Sequence, residues 1–364
     1  MIRTDGLLTR LHVDGTLLAA LLLVCSFGLV VLYSASEQSS ALLVKQLVRI
    51  TLGLTAMFLL AQLSPDQISR WSPWFYLVGL GLLVAVMFFG TGRGATRWLE
   101  MGPIRFQPSE MMKLAVPIAA AAYLKDQRLP LSRGALGTAL VIIALPALLI
   151  VRQPDLGTAL LVGAAGLFVL FLAGLSWRLI GAAALAAACF APVGWYLLHD
   201  YQRQRILTLV NPQADPLGSG YHIIQSTIAV GSGGISGKGW LNGTQSHLEF
   251  LPERATDFIF AVFCEEFGFV GVLMLLCAYS LVVFRGLVIA ANAQTRFGKL
   301  LAGSLTLTFF IYIFVNMGMV TGQLPVVGVP LPLVSYGGTS MVTLLAGFGI
   351  LMSIQTHRRF LTSN

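Results

Sequence analysis

Apolar residues along this chain gather in ten long runs, at about 17–33, 47–63, 74–89, 111–124, 135–151, 156–173, 179–198, 258–284, 300–320 and 338–355. Most approach the roughly 17–25 residues that cross a hydrocarbon core. The fourth is short, and only Arg152-Gln-Pro-Asp155 separates the fifth from the sixth. The pattern predicts an all-α polytopic membrane protein with ten transmembrane helices. A polar interval, 199–257, divides the seventh run from the eighth and is too long to be a mere connector. Within it, Asp200–Val210 reads as an amphipathic helix stopped by Asn211-Pro212. Arg203 and Arg205 are expected at headgroup level, with Ile206, Leu207 and Leu209 dipping inward. Tyr221–Val230 reads as a second helix, and Gly231–Gly239 as a flexible segment.

Composition agrees with this pattern: 56% of residues are hydrophobic and only 10% charged, far below the roughly 25% charged of soluble domains. The excess of 23 basic over 15 acidic residues sits in short clusters between apolar runs, which orients a membrane protein better than it binds nucleic acid. An even number of spans puts both termini on one side. The connections on that side are denser in Lys and Arg, so they are expected in the cytoplasm. The loop 199–257 then lies outside, in the periplasm of a bacterium with an inner membrane. With no internal repeat and no separate soluble segment, residues 1–364 read as a single membrane domain. Arg3, Arg10 and the run Leu17–Tyr33 mimic a signal peptide, but the run is long and more spans follow, so a retained first helix is expected.

Composition also removes some chemistry. Cys25, Cys189, Cys264 and Cys277 all fall inside apolar runs, where a thiol behaves as a small hydrophobe. No cysteine spacing or histidine cluster suggests a metal site. Gly231-Ser-Gly-Gly-Ile-Ser-Gly-Lys-Gly239 fails as a phosphate loop, since Ser232 and Gly239 occupy places that need Gly and Ser/Thr.

The polar residues that border the apolar runs carry the functional signal. Five of the fifteen acidic residues lie within 249–266, and Asp257 stands where the long loop enters the eighth run. An ionisable group there is costly and marks a functional site by default, although a helix-start carboxylate beside Thr256 is an ordinary feature. Glu265 and Glu266, two turns further in, suit packing or pairing with a cation. Arg105-Phe-Gln-Pro-Ser-Glu-Met-Met-Lys113 opens the fourth run. Glu110 and Lys113, three apart, share a helical face and can pair, either structurally or around an anionic ligand that Arg105 would also attract. Asp155 begins the sixth run, as a helix-start residue or as a third acidic group on the same outer face. Pro325–Gly338 reads as a re-entrant segment buried in protein. There Pro330 and Pro332 look structural, while Ser335 and Tyr336 are candidates to contact a polar substrate group.

Taken together, Arg105–Lys113, Gln153–Gly157, His199–Arg205, Gly218–Gln225, Trp240–Asp257 and Pro330–Gly338 resemble the SEDS family (shape, elongation, division and sporulation), most closely its elongation branch. The resemblance runs over nearly the whole chain. It departs at Ala255, where the family carries histidine before the Thr-Asp pair. It implies a ten-span fold and a peptidoglycan glycosyltransferase that polymerises lipid II into a nascent glycan strand at the outer face of the cytoplasmic membrane. The implied partner is a class B penicillin-binding protein that supplies transpeptidase activity, within an elongation complex that includes MreC and MreD. Asp257 matches the family's essential aspartate, and Glu110, Lys113 and Asp155 match other functionally important positions.

The implied chemistry suits these residues. A carboxylate acts as general base for a sugar hydroxyl. The departing pyrophosphate needs cations, for which Lys113, Arg105 and Arg203 are the candidates. No cofactor is fixed by the sequence, which leaves room for a divalent cation (Mg or Mn) shared by acidic groups. Two other classes of function remain open. A lipid II flippase would need charges along a path through the bilayer, whereas these sit near one side apart from Arg49 and the glutamate pair. A non-catalytic activator of the penicillin-binding protein would tolerate charge-neutral swaps at Glu110 and Lys113.

Overall fold

Each of the ten apolar runs becomes a helix, and polar residues at their edges explain where most of them start. The computed structural model describes residues 11–91, 97–101, 104–198, 200–215, 218–244 and 253–357. In chain order the helices are α1 (Gly15–Ala35), α2 (Ser40–Ala61), α3 (Pro65–Phe89), α4 (Pro108–Leu124), α5 (Arg133–Val151), α6 (Leu156–Leu172) and α7 (Trp177–Leu197). After them come α8 (Asp200–Val210), α9 (Ser219–Ser232), α10 (Ile259–Asn292), α11 (Arg296–Val320) and α12 (Thr339–Thr356). Side chains of Asp14, Ser39, Ser64, Ser132, Asp155, Ser176 and Thr295 each accept a backbone N–H in the first turn that follows, satisfying donors that a helix start leaves orphaned. Among the described residues, seven helices (α1, α2, α3, α5, α10, α11 and α12) are long and apolar enough to cross a membrane.

Three helices outrun the apolar pattern. α2 starts at Ser40, ahead of its polar Lys45 and Gln46, and α3 at Pro65, where the first turn is polar. Ser64 and Gln67 close a capping box at the start of α3, a local signal that hydropathy does not register. α10 runs on to Asn292, and its polar Arg285 pairs with Asp14 at 2.5 Å. The connections expected at 64–73 and 285–299 are therefore largely helical. A two-stranded hairpin, β1 (Leu99–Met101) with β2 (Ile104–Phe106), is too short for a sequence pattern to show.

α4 is the centre of the assembly. It packs against α3, α5, α6, α11 and α12, while α2 lies along α12 and α10 along α11 and α1. That position explains its length: most of its residues are buried in protein, so it does not have to face lipid along its sides. Large apolar side chains exposed on α3 and α7, among them Trp71, Trp74, Phe88, Trp177 and Phe190, give the assembly a lipid-compatible perimeter.

The helices expected in the long loop form as α8 and α9. On α8 the buried residues are Gln202 and Thr208, while Ile206 and Leu207 are exposed. The glycine-rich segment, expected to be flexible, is instead docked on α10. There Gly268 adopts φ 62° and ψ −163°, a conformation open essentially to glycine alone, and the helical ladder breaks. Gly234 and Ile235 accept from Phe269 N–H and Val270 N–H at 2.9 and 3.1 Å. Lys238 and Gly239 donate to the Glu265 and Glu266 carbonyls, both at 3.0 Å. The loop replaces the two backbone bonds that the break removes. Lys238 also pairs with fully buried Glu265 at 2.7 Å, so that glutamate is the partner of a cation. Glu249, at the start of the acidic stretch, lies outside the described residues, as do Arg3, Arg10 and His199.

Candidate functional site

Asp257 sits in the turn Glu253–Phe258, just before α10. Backbone bonds from Thr256 and Phe258 to the Glu253 carbonyl, 3.0 and 3.3 Å, close the turn. Neighbouring elements then hold it. Asn316 of α11 donates its amide to the carbonyls of Asp257 and Val329, at 2.9 and 2.7 Å. Tyr336 N–H donates to the Ala255 carbonyl at 2.8 Å. Ser335 Oγ donates to the Thr256 carbonyl at 2.6 Å and accepts from Leu331 N–H at 2.7 Å. With its backbone engaged in this way, Asp257 turns its side chain into a cavity. Burial pushes its carboxyl up to about 6; the Glu253 carboxylate adds to the rise and the Arg205 guanidinium opposes it.

The first turn of α4 supplies the second element. Pro108 sits at a position where its missing N–H costs nothing, and Glu110 and Lys113 follow one turn apart. Both are buried; Lys113 Nζ lies 2.6 Å from Glu110 Oε1 and 4.9 Å above the ring of Tyr312. Glu110 Oε2 has no hydrogen-bond partner.

Asp155 supplies the third. It caps α6 through Thr158 N–H at 3.3 Å, accepts from Gln107 Nε2 at 3.1 Å and stands 3.7 Å from the Arg97 guanidinium. Arg97 also donates to the Pro154 carbonyl, which ties the strand of chain before β1 to the start of α6.

These elements meet around one cavity of about 570 Å³. Its wall includes Asp257, Glu110, Lys113, Asp155 and Tyr336 from the sequence analysis, and Arg97, Gln107, Thr158, Glu253 and Tyr312, which sequence reasoning did not single out. Three expected contact residues do not line it. Arg105 is exposed and pairs across the hairpin with Glu100 at 3.0 Å. Arg203 donates to the carbonyls of Trp195 and Tyr196 at the end of α7, at 2.9 and 2.7 Å. Ser335 is buried and spends its hydroxyl on backbone. A sequence signal for Asn316 was available, since a carboxamide inside an apolar run is costly unless it is used. Arg97 offered only its membership in the basic cluster 93–105.

The wall can hold an anion against Lys113 and Arg97 while presenting a carboxylate of raised basicity. The donor set does not make a protein cage for a metal. Among the described residues no three His, Cys, Asp or Glu are grouped to hold one, and Asp155 already satisfies Thr158, Gln107 and Arg97.

The family model described as "Cell cycle protein", FtsW/RodA/SpoVE, matches residues 14–360. The peptidoglycan glycosyltransferase MrdB of Escherichia coli K12 is 55% identical over 357 residues, covering 98% of this chain and 96% of that protein. Stage V sporulation protein E of Bacillus subtilis is 34% identical, covering 95% and 98%. Among solved structures, the rod shape determining protein RodA of Thermus thermophilus superposes with a TM-score of 0.71 at 30% identity, covering 94% of this chain and 96% of that one. A chain from a structure described as a peptidoglycan synthase complex that coordinates polymerization and crosslinking gives 0.82 at 32% identity, covering 95% and 99%.

Proposed function

The chain belongs to the FtsW/RodA/SpoVE family of cell cycle proteins, and from that premise we infer that it is a peptidoglycan glycosyltransferase of the cell wall, working in a membrane it crosses several times. The relative from Escherichia coli, more than half identical over nearly the full length, carries that name. The finer reading is a single SEDS-type domain of ten spans, with both termini in the cytoplasm, the loop 199–257 in the periplasm and the cavity open to that side. The ten helices at the ten apolar runs support it.

The substrate is lipid II, and the reaction joins two lipid-linked saccharides. A hydroxyl oxygen of one sugar attacks the anomeric carbon of the other, forming the new glycosidic C–O bond. The bond from that carbon to the diphosphate oxygen breaks, and the diphosphate leaves with the electron pair. The hydroxyl proton passes to the Asp257 carboxylate, whose raised basicity suits a general base near neutral pH. Lys113 and Arg97, which line the same cavity, meet the charge developing on the diphosphate. Glu110 orients Lys113, and Asp155 orients Arg97. Arg105 and Arg203, off the cavity, are not assigned this work.

The convergence of Asp257, the Glu110–Lys113 pair and Asp155 on one cavity carries this reading. A crosslinking enzyme that receives the new strand is the natural partner, in keeping with the synthase complex to which the chain is similar. The test is polymer formation from labelled lipid II by the purified protein with that partner. Loss of polymer in Asp257→Asn is expected. An undiminished rate in Asp257→Ala removes the base, and transbilayer movement of lipid II without polymerisation replaces the reaction by transport.

A further inference from the structure

Arg49 is an anomaly in α2. After Lys45 and Gln46 the helix is otherwise apolar around it, with Val44, Leu47, Val48 and Leu52 exposed on its outer side, yet Arg49 has no carboxylate partner among the described residues and its Nη1 is buried without a hydrogen bond. What it does have is a ring. Its guanidinium carbon lies 4.1 Å from the centroid of Tyr336, close enough for a cation–π attraction that strengthens when water is excluded. One turn earlier on the same helix, buried Gln46 donates to the Ser335 carbonyl at 3.2 Å. Two polar side chains of α2 thus grip two consecutive residues of the Pro325–Gly338 loop, and neither lines the cavity. Those two residues are the ones that bond the turn ahead of α10, Tyr336 N–H to Ala255 and Ser335 Oγ to Thr256.

We infer that Gln46 and Arg49 are positioning residues for the reaction: they clamp Ser335 and Tyr336 from behind and so hold the turn that aims Asp257. The inference rests on the reading of Asp257 given above. An uncompensated arginine within an apolar span is costly, and a hydrogen-bond partner would offset that cost far better than a ring. The placement is understood if the geometry of Tyr336 is what the arginine serves. Misplacing a reacting group by about 1 Å costs roughly 100-fold in rate, so a clamp two contacts away from the carboxylate has leverage.

The test measures lipid II polymerisation and backbone hydrogen exchange on the same purified, full-length variants. Arg49→Leu is expected to lower kcat by about 10- to 100-fold with little change in KM, and to speed exchange of the Tyr336 amide and the 253–258 turn while α5 and α6 keep their protection. Arg49→Lys, which keeps a cation over the ring, recovers most of both. Arg49→Leu combined with Tyr336→Leu is expected to be no worse than the more damaging single change. Unaltered exchange in Arg49→Leu overturns the clamp. Faster exchange with unaltered kcat, or losses that multiply in the double variant, overturns its link to the reaction. A wild-type protein inert toward lipid II sinks the reading of the reaction instead, while exchange still decides the clamp. A Gln46→Leu variant, expected to behave as a milder Arg49→Leu, covers the case in which Arg49→Leu does not fold.

Discussion

Lys113 Nζ and Glu110 Oε1 stand 2.6 Å apart in the first turn of α4, each side chain less than a tenth exposed. Removing one charge strands the other in a low-dielectric wall. Lys113→Met should therefore destabilise the protein by about 3–5 kcal/mol, read as a lower Tm in detergent. Glu110→Gln combined with Lys113→Met removes both charges and should restore much of that stability. It should still polymerise lipid II poorly, because the diphosphate has lost one of the two cations, Lys113 and Arg97, that line the cavity. A double variant that polymerises normally would reduce the pair to structure.

As the proposed general base, Asp257 should set the acid limb of the rate. A general base works ionised, so the rate should rise with pH through about 6 and level off above it. The stability effect has the opposite sign. With its folded value above the ordinary 3.8, the native state holds this proton more tightly than the unfolded chain. The stability so contributed is complete below about pH 4 and is lost as pH rises through about 6. At neutral pH, Asp257→Asn should thus be inactive yet more stable, by on the order of 3 kcal/mol. Thermal melts of both proteins across pH 4–8 (about that range) check the crossing trend.

The start of α6 lies against the loop that carries Tyr336. A Cβ added at Gly157 would come 2.9 Å from the Val327 carbonyl oxygen, a backbone atom that cannot swing aside. Gly157→Ala should cost about 1–3 kcal/mol and slow polymerisation by pushing on Val327 and so displacing Gly328–Pro330 from the cavity wall. Parallel melts and rate measurements distinguish this from a silent change.

Glycines elsewhere should divide sharply. Gly163 sits in α6 with open space where a Cβ would go, so Gly163→Ala should be neutral or stabilising by roughly 0.5–1 kcal/mol. Gly268→Ala forces a side chain onto φ 62°, with its Cβ 2.2 Å from the Gly237 nitrogen. It should cost more than about 3 kcal/mol and release the loop from α10. Expression level and limited proteolysis of the 233–244 segment report the difference.

The helices were legible because burying backbone in lipid leaves few options, and ten apolar runs became ten helices. α8 ends at Val210, before Asn211-Pro212, as its sequence implies. What hydropathy missed is polar at helix ends: the capping box at Ser64 and the reach of α10 past Arg285. Asp257, Glu110, Lys113 and Asp155 were legible for the cost of placing charge beside lipid, and the structure brings them to one cavity. Arg97 and Tyr312 were not, since an arginine in a basic loop and a tyrosine in an apolar helix have many uses. Arg105 and Arg203 show the converse. Their charge suggested an anion site, but cross-strand pairing and the end of α7 claim them.

The junction at Gly268 ties the order of synthesis to the architecture. The residues that fill the gap in α10 come earlier in the chain than the gap itself, so the filler has already been made when the interrupted span emerges. Four amide and carbonyl groups at membrane depth would otherwise lack partners. The segment from Gly233 to Gly239 is therefore part of how that span matures, and grafting a foreign linker in its place should leave a protein that inserts but cannot finish folding.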